Sequence, residues 1–237
     1  MTKSEPRVYL LDVEGTVAPI SLVAEQLFPY ARKNLRSFFN GHLGEDAVQA
    51  DMQLLREEHR SDAEVPDTGS DLENVEQAIA YLFWLMDRDR KSTALKSLQG
   101  KIWKAGFESG ELIGTLFPDV PDAFERWDHT AKVAIYSSGS VEAQELLFRY
   151  STYGDLTPWI AGYFDTRTGA KAESASYAAI ASHFGVAANE LLFFSDAVRE
   201  LDAARAAGCA TRLVMREGNA PVADAHGHAA IAALTGI

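Results

Sequence analysis

From about residue 118 to the C-terminus, short apolar runs alternate with segments of helical period, and each run is apolar on consecutive residues rather than on every second one. Val133-Ala134-Ile135-Tyr136, Leu191-Leu192-Phe193-Phe194 and Thr211-Arg212-Leu213-Val214-Met215 read this way, with a shorter run at Gly162-Tyr163-Phe164-Asp165. A strand that is apolar throughout must be covered on both faces, which is the condition of a parallel sheet under helices. Between the runs lie Val141 to Phe148, Ser174 to Phe184 and Val198 to Ala207, the last closed by Gly208 as a helix-terminating glycine. The alternation predicts an α/β fold built on an open, mostly parallel sheet.

An earlier run of the same kind, Val8-Tyr9-Leu10-Leu11, stops at Asp12 and is followed by Gly15. Residues 21 to 116 then carry no strand pattern. Phe28, Ala31, Leu35 and Phe38 recur at helical spacing, as do Val75, Ile79, Leu82 and Met86, and then Leu95, Leu98, Ile102 and Ala105. The polar stretch Glu57 to Asp71, with Pro66 and Gly69, reads as an exposed loop between the first two of these blocks. An insert of about a hundred residues is too long for a crossover and long enough for a separate cap. The expected organisation is an α/β core from residues 1–20 and 117–237, interrupted by an α-helical cap domain over 21–116.

With 47% hydrophobic and 24% charged residues, the chain has the apolar material for a true core. Its 22 Lys and Arg against 34 Asp and Glu leave a net charge of −12. A field of that sign repels nucleic-acid backbones and anionic lipid, so neither is an expected partner. A small anionic substrate then requires a cation at its site. The single cysteine, Cys209, cannot form an internal disulfide and reads as a small buried hydrophobe in a reducing compartment. No run approaches the ~18 apolar residues of a membrane span, and the N-terminus lacks the pattern of a signal peptide. A monomer in the cytoplasm is the expectation. His226 and His228 stand close together in an Ala/Gly-rich segment and are not read as metal ligands. Nucleotide-binding glycine loops and H-E-x-x-H zinc motifs do not occur.

Four segments fall at or just after the ends of expected strands, the edge where open α/β sheets bind ligands. Asp12-Val13-Glu14-Gly15-Thr16 puts two acids into a glycine-containing turn. One suits attack on phosphorus, the other a metal site or a proton. Ser137-Ser138-Gly139-Ser140 offers hydroxyls and backbone N–H groups for a phosphate, or an N-cap for the helix at Val141. Lys171, in Thr168-Gly169-Ala170-Lys171, suits neutralising a phosphate and an aspartate, or is surface charge. Asp196, after Phe193-Phe194-Ser195, needs a cation or serves as an N-cap. Asp12, Asp196 and an oxygen of residue 14 would hold Mg²⁺, with Glu200 orienting that shell from outside.

At this level the sequence resembles the haloacid dehalogenase-like hydrolases, whose motifs are an aspartate pair, a Ser or Thr, a Lys and an acidic pair. D-V-E-G-T-V-A-P-I, I-Y-S-S-G-S-V-E-A-Q, K-A-E-S-A-S-Y and F-F-S-D-A-V-R-E are similar to the bifunctional enolase-phosphatases of methionine salvage. So is D-R-K-S-T-A-L-K-S-L-Q-G-K-I-W in the insert, and the resemblance spans nearly the whole chain. It implies a Rossmann-like core of the haloacid dehalogenase type with an inserted helical cap, and one Mg²⁺ per subunit. Asp12 would be nucleophile and Mg²⁺ ligand, and Glu14 a metal-site residue and general acid. Ser137 and Ser138 would contact the substrate phosphate, Lys171 would bind substrate and assist catalysis, and Asp196 would complete the metal site. Most phosphatases of this kind carry Asp where this chain has Glu14. The implied reaction converts 2,3-diketo-5-methylthiopentyl 1-phosphate to its enol phosphate and then to the acireductone 1,2-dihydroxy-3-keto-5-methylthiopentene plus phosphate. Trp84, Trp103 and Phe107 are candidates for a pocket around the thioether tail, with core packing as the alternative for each.

Three rival functions remain at the level of sequence. A capped phosphatase of the same superfamily would act on another small phosphomonoester. A dehalogenase would have no use for Asp196 as a metal ligand. A catalytically silent binding protein would not need the competent residue that every motif position retains.

Overall fold

The computed structural model describes residues 5–65 and 72–237. Contacts between residues divide the chain into two units, residues 25–112, and residues 1–24 with 113–237. The inserted unit is thus four residues shorter at each end than the 21–116 expected from the sequence.

Among the described residues, four α-helices make up most of the inserted unit: α1 (Phe28–His42), α2 (Asp46–Ser61), α3 (Val75–Asp87) and α4 (Thr93–Ser109). Their apolar stripes meet in one core that includes Leu35, Phe39, Val48, Met52, Leu55, Ile79, Leu82, Leu98 and Ile102. The helix α2 has no counterpart in the sequence reading, and Glu57 to Ser61, expected in a loop, are its last turn. Pro66, Gly69 and Asp71 lie outside the described residues. The signal in α2 was Val48, Met52, Leu55 and His59, buried at helical spacing among charged neighbours. The stripe of α4 leaves Ala105 exposed and continues through Gly106. Caps define the starts. Asn74 and Gln77 form a reciprocal capping box at α3, and Ser92 Oγ accepts the N–H of Leu95 at α4 (2.9 Å). Trp84 stacks on Tyr81, Trp103 donates its indole N–H to the Leu27 carbonyl (2.8 Å), and Phe107 is buried, so each is engaged within this unit.

The other unit is a six-stranded sheet: β1 (Val8–Leu11), β2 (Lys132–Tyr136), β3 (Ile160–Phe164), β4 (Leu191–Ser195), β5 (Ala210–Val214) and β6 (Ala229–Ile231). The order is β3-β2-β1-β4-β5-β6 and every neighbouring pair is parallel. Side chains alternate between its faces. Val8 and Leu10 of β1 join Ala134, Tyr136, Leu191 and Phe193 in a cluster with Tyr177, Ile180 and Leu201 of α7 (Ser174–Phe184) and α8 (Val198–Ala206). On the opposite face Tyr9 stacks on Trp127 of α5 (Val120–Asp128) at 4.4 Å, and Trp127 stacks on Phe194 at 5.7 Å. The strand β1 is buried at all four positions, as an interior strand under two helical layers must be.

The helix α7 spans the residues its periodicity predicts, whereas α5 and the edge strand β6 were not singled out. Only three residues long and exposed at two of them, β6 carries no apolar run to mark it. Gly208, at φ +96°, ends α8 with its N–H on the Arg205 carbonyl and that of Cys209 on the Ala204 carbonyl. The chain proceeds from β1 outward to β2 and β3, then returns to the far side of β1 for β4. That reversal opens a crevice outside the C-terminal ends of β1 and β4. Among the described residues, no helix is long and apolar enough to cross a membrane.

Candidate active site

Pairing between β1 and β4 continues one residue beyond the strand, because the N–H of Asp12 donates to the Phe194 carbonyl (2.9 Å). Asp12 therefore leaves the sheet beside the Ser195-Asp196 pair. Its Oδ1 accepts the N–H of Val13 (2.7 Å), turning the carboxylate back over the strand end. The chain then folds tightly, with the Val13 carbonyl receiving the N–H groups of Thr16, Val17 and Ala18. Gly15 sits at φ +68°, where a side chain is disfavoured. A Cβ there would overlap Asp196 Oδ2 and lie 2.7 Å from its Cγ. The Asp196 carboxylate thus packs on the bare α-carbon of Gly15.

Lys171 arrives from the loop after β3. Its Nζ is 2.6 Å from Asp12 Oδ1 and 2.9 Å from Glu200 Oε2, and only 15% of its side chain is exposed. Burial works against its charge, but Asp12 and Glu200 outweigh it and raise its pKa above that of an ordinary lysine. Ser195 Oγ donates to Glu200 Oε2 (2.9 Å) and accepts the N–H of Ala197 (3.1 Å). Three buried hydroxyls grip the loop that carries the lysine: Tyr136 on the Gly169 carbonyl (2.9 Å), Ser176 on Ala170 (2.8 Å) and Tyr177 on Lys171 itself (2.6 Å).

Asp196 is not an N-cap. The cap of α8 is Ala197, whose N–H is taken by Ser195. Burial and the Asp12 charge push the Asp196 carboxyl up to about 6. Burial, followed by Asp12, also raises Glu14 and Glu200. Ser137 and Ser138 follow β2, and the N-cap of α6 (Val141–Arg149) is Ser140, whose Oγ accepts from Ala143 (3.2 Å). Gln144 of α6 donates to the carbonyls of Gly139 (2.9 Å) and Phe164 (3.0 Å), tying that loop to β3.

Asp12, Glu14, Ser137, Ser138, Lys171, Asp196 and Glu200 line one cavity of about 220 Å³ together with Ile20. All seven residues singled out in the sequence are in it. Ser195, the Tyr136–Ser176–Tyr177 grip and Gln144 were missed. Ser195 stood inside a quoted motif, while a buried tyrosine leaves no local mark of where its hydroxyl points. Four carboxylates facing one ammonium is an electrostatic deficit that a hard divalent cation or an acidic proton would relieve. A carboxylate beside a lysine, with Ser137 and Ser138 lining the same cavity, is a constellation for binding a phosphate and attacking its phosphorus.

The family model of haloacid dehalogenase-like hydrolases matches residues 6–208. The enolase-phosphatase E1 of Synechococcus elongatus is 53% identical over 90% of each chain. A Vitis vinifera protein described as a probable bifunctional methylthioribulose-1-phosphate dehydratase/enolase-phosphatase E1 is 41% identical over all of this chain and 48% of its own length. Among solved structures, the Saccharomyces cerevisiae UTR4 protein is 38% identical with a TM-score of 0.82, over 98% of this chain and all of that one.

Proposed function

We propose that this chain, which belongs to the haloacid dehalogenase-like hydrolases and within them to the enolase-phosphatases, uses the cavity around Asp12 to enolise a phosphorylated 2,3-diketone and then to remove its phosphate. The substrate in this reading is 2,3-diketo-5-methylthiopentyl 1-phosphate and the product the acireductone 1,2-dihydroxy-3-keto-5-methylthiopentene. The domain pairing in the grape relative supports it. Loss of water from the 2-keto-3,4-diol of methylthioribulose 1-phosphate yields that 2,3-diketone. The observation that carries the reading is the convergence of Asp12, Lys171, Asp196 and the Ser137-Ser138 loop on one crevice.

The donor set fits Mg²⁺: oxygen ligands only, and negative charge that burial and mutual repulsion leave uncompensated. Asp12, Asp196 and an oxygen of residue 14 would hold the ion, with Glu200 outside. Mg²⁺ ordinarily keeps several waters, and these would complete a shell that no three His, Cys, Asp or Glu side chains among the described residues are arranged to fill. Bound there, Mg²⁺ supplies Lewis-acid stabilisation of the enolate and of the charge on the transferring phosphoryl group.

The chain's own groups do the rest. Ser137, Ser138 and Lys171 orient the phosphate, and Lys171 offsets the repulsion between it and Asp12. In the first half, a proton leaves the carbon bearing the phosphate ester and arrives on the adjacent carbonyl oxygen. In the second, Asp12 attacks phosphorus, an aspartyl–phosphorus bond forms and the bond to the enol oxygen breaks. Glu14, whose pKa burial and then the Asp12 charge raise, gives its proton to that oxygen and then takes one from the water that hydrolyses the aspartyl phosphate. Residues 1–24 with 113–237 are the catalytic core in this reading, and 25–112 the cap.

Two signals separate the halves. Given the diketone phosphate, the protein develops enol absorbance before free phosphate appears, and chelation by EDTA abolishes both. Asp12→Asn stops phosphate release, and unchanged release in that variant would remove the covalent mechanism.

A further inference from the structure

The turn that carries Asp12 and Glu14 is held from behind by a segment with no part in the four motifs, lying beyond the residues matched by the family model. After β5 the chain runs from Met215 to His228 before entering β6. Arg216 donates through Nε to the Thr16 carbonyl (3.0 Å), and Asn219 donates through Nδ2 to the Gly15 carbonyl (2.9 Å). These two carbonyls belong to the turn on whose bare α-carbon Asp196 rests. The Cβ position of Gly15 is 3.0 Å from Asn219 Oδ1 and in contact with Asp196, so Asn219 and Asp196 approach the same glycine.

The brace is anchored at both ends. The Arg216 side chain, 6% exposed, lies 3.0 Å from Asp119, donates to the Ala232 carbonyl (3.1 Å) and stacks over Phe117 at 4.3 Å. Further along, His226 Nδ1 meets Asp202 (2.6 Å), and His228 bridges Asp202 (3.1 Å) and Thr211 (2.7 Å). Surface loops are ordinarily the most mobile part of a fold. This one is fastened to α8, to β5 and to the residue preceding α5, and Arg216 and Asn219 each donate to a main-chain oxygen of the catalytic turn.

We propose that Asn219 and Arg216 are positioning residues, which hold the Gly15 and Thr16 carbonyls and so fix where Asp12, Glu14 and Asp196 stand relative to one another. This rests on the reading of Asp12 as nucleophile. Without Asn219, the Gly15 carbonyl loses that donor and the turn gains freedom at the point where two carboxylates must share one ion. Small displacements there are costly, because in-line attack and metal coordination both depend on sub-ångström placement.

The test uses Asn219→Ala in the full-length protein, with Arg216→Lys as a second variant and Asp12→Asn as the control on the reading beneath it. For Asn219→Ala, kcat is expected to fall about tenfold with KM within twofold, and the dissociation constant for Mn²⁺, read by paramagnetic resonance on substrate-free protein, to rise about tenfold. The folded fraction by circular dichroism at the assay temperature should match the parent. The proposal is overturned if kcat and Mn²⁺ affinity both stay within twofold of the parent, or if both variants lose activity only in step with their folded fraction. Full activity in Asp12→Asn instead removes the nucleophile reading itself, a distinct outcome.

Discussion

Lys171 Nζ lies 2.6 Å from Oδ1 of Asp12, at the centre of a cluster in which four carboxylates otherwise face one another. A loop lysine read from sequence alone belongs to the surface. This one is largely buried and shared between Asp12 and Glu200. Lys171→Met keeps the stem and removes the charge, so kcat should drop about 100-fold or more, the effect of losing one aimed donor at a developing charge. Unlike a surface residue, it should also cost stability on the order of 3 kcal/mol, because carboxylates are left unpaired. Metal-free unfolding at pH 7.5 checks the second point, and added Mg²⁺ should restore more stability to the variant than to the parent.

Asp196 predicts how stability depends on pH in metal-free protein. Burial and Asp12 raise its folded pKa from 3.8 to about 6, so folding favours its protonated form. That contribution is complete below the unfolded pKa and is lost as pH rises through about 6. In EDTA, the melting temperature should fall between pH 5 and 7.5, and Asp196→Asn should flatten that fall. The increment added by Mg²⁺ has the opposite slope, since the ion needs the ionised carboxylate. Thermal melts at both pH values, with and without the ion, read all of this.

Tyr177→Phe isolates the grip on the lysine loop. The ring remains in the core, while the Lys171 carbonyl loses its donor at 2.6 Å. One unsatisfied buried carbonyl costs about 1–2 kcal/mol. Turnover should fall by a larger factor than that penalty lowers the folded population, because Lys171 is then free to drift from Asp12. Steady-state kinetics well below the melting temperature, alongside a urea titration, compare the two losses.

Trp127→Ala tests packing without touching the cavity. The side chain stacks on both Tyr9 and Phe194, and its indole N–H donates to the Ile237 carbonyl (3.0 Å). Its removal should cost about 3–5 kcal/mol. KM should stay near that of the parent wherever the variant remains folded. Denaturant midpoints measure the first and initial rates the second.

Much of the site was legible because its signals are local. A run such as Leu191-Leu192-Phe193-Phe194 announces a doubly buried strand, and the acid after it stands at the strand's end whatever the rest of the chain does. Asp12 and Asp196 were found in this way, whereas the role of Lys171 came from the family resemblance. The helix α2 was missed because its buried apolar positions, Val48, Met52 and Leu55, are outnumbered by charges in the same stretch. The edge strand β6 was missed because an exposed strand needs no apolar run.

By itself the sequence determined the strand tips, the helices with clear apolar stripes and the kinds of groups that end up at the crevice, since each depends on neighbours a few residues away. Only the tertiary structure decided that Lys171 is buried between Asp12 and Glu200, that Asp196 rests on Gly15 rather than capping a helix, and that Asn219 reaches the Gly15 carbonyl. Charge, burial and hydrogen bonding at those atoms are set by residues far apart in the chain, and the parallel order β3-β2-β1-β4-β5 is what brings the segments that follow these strands together.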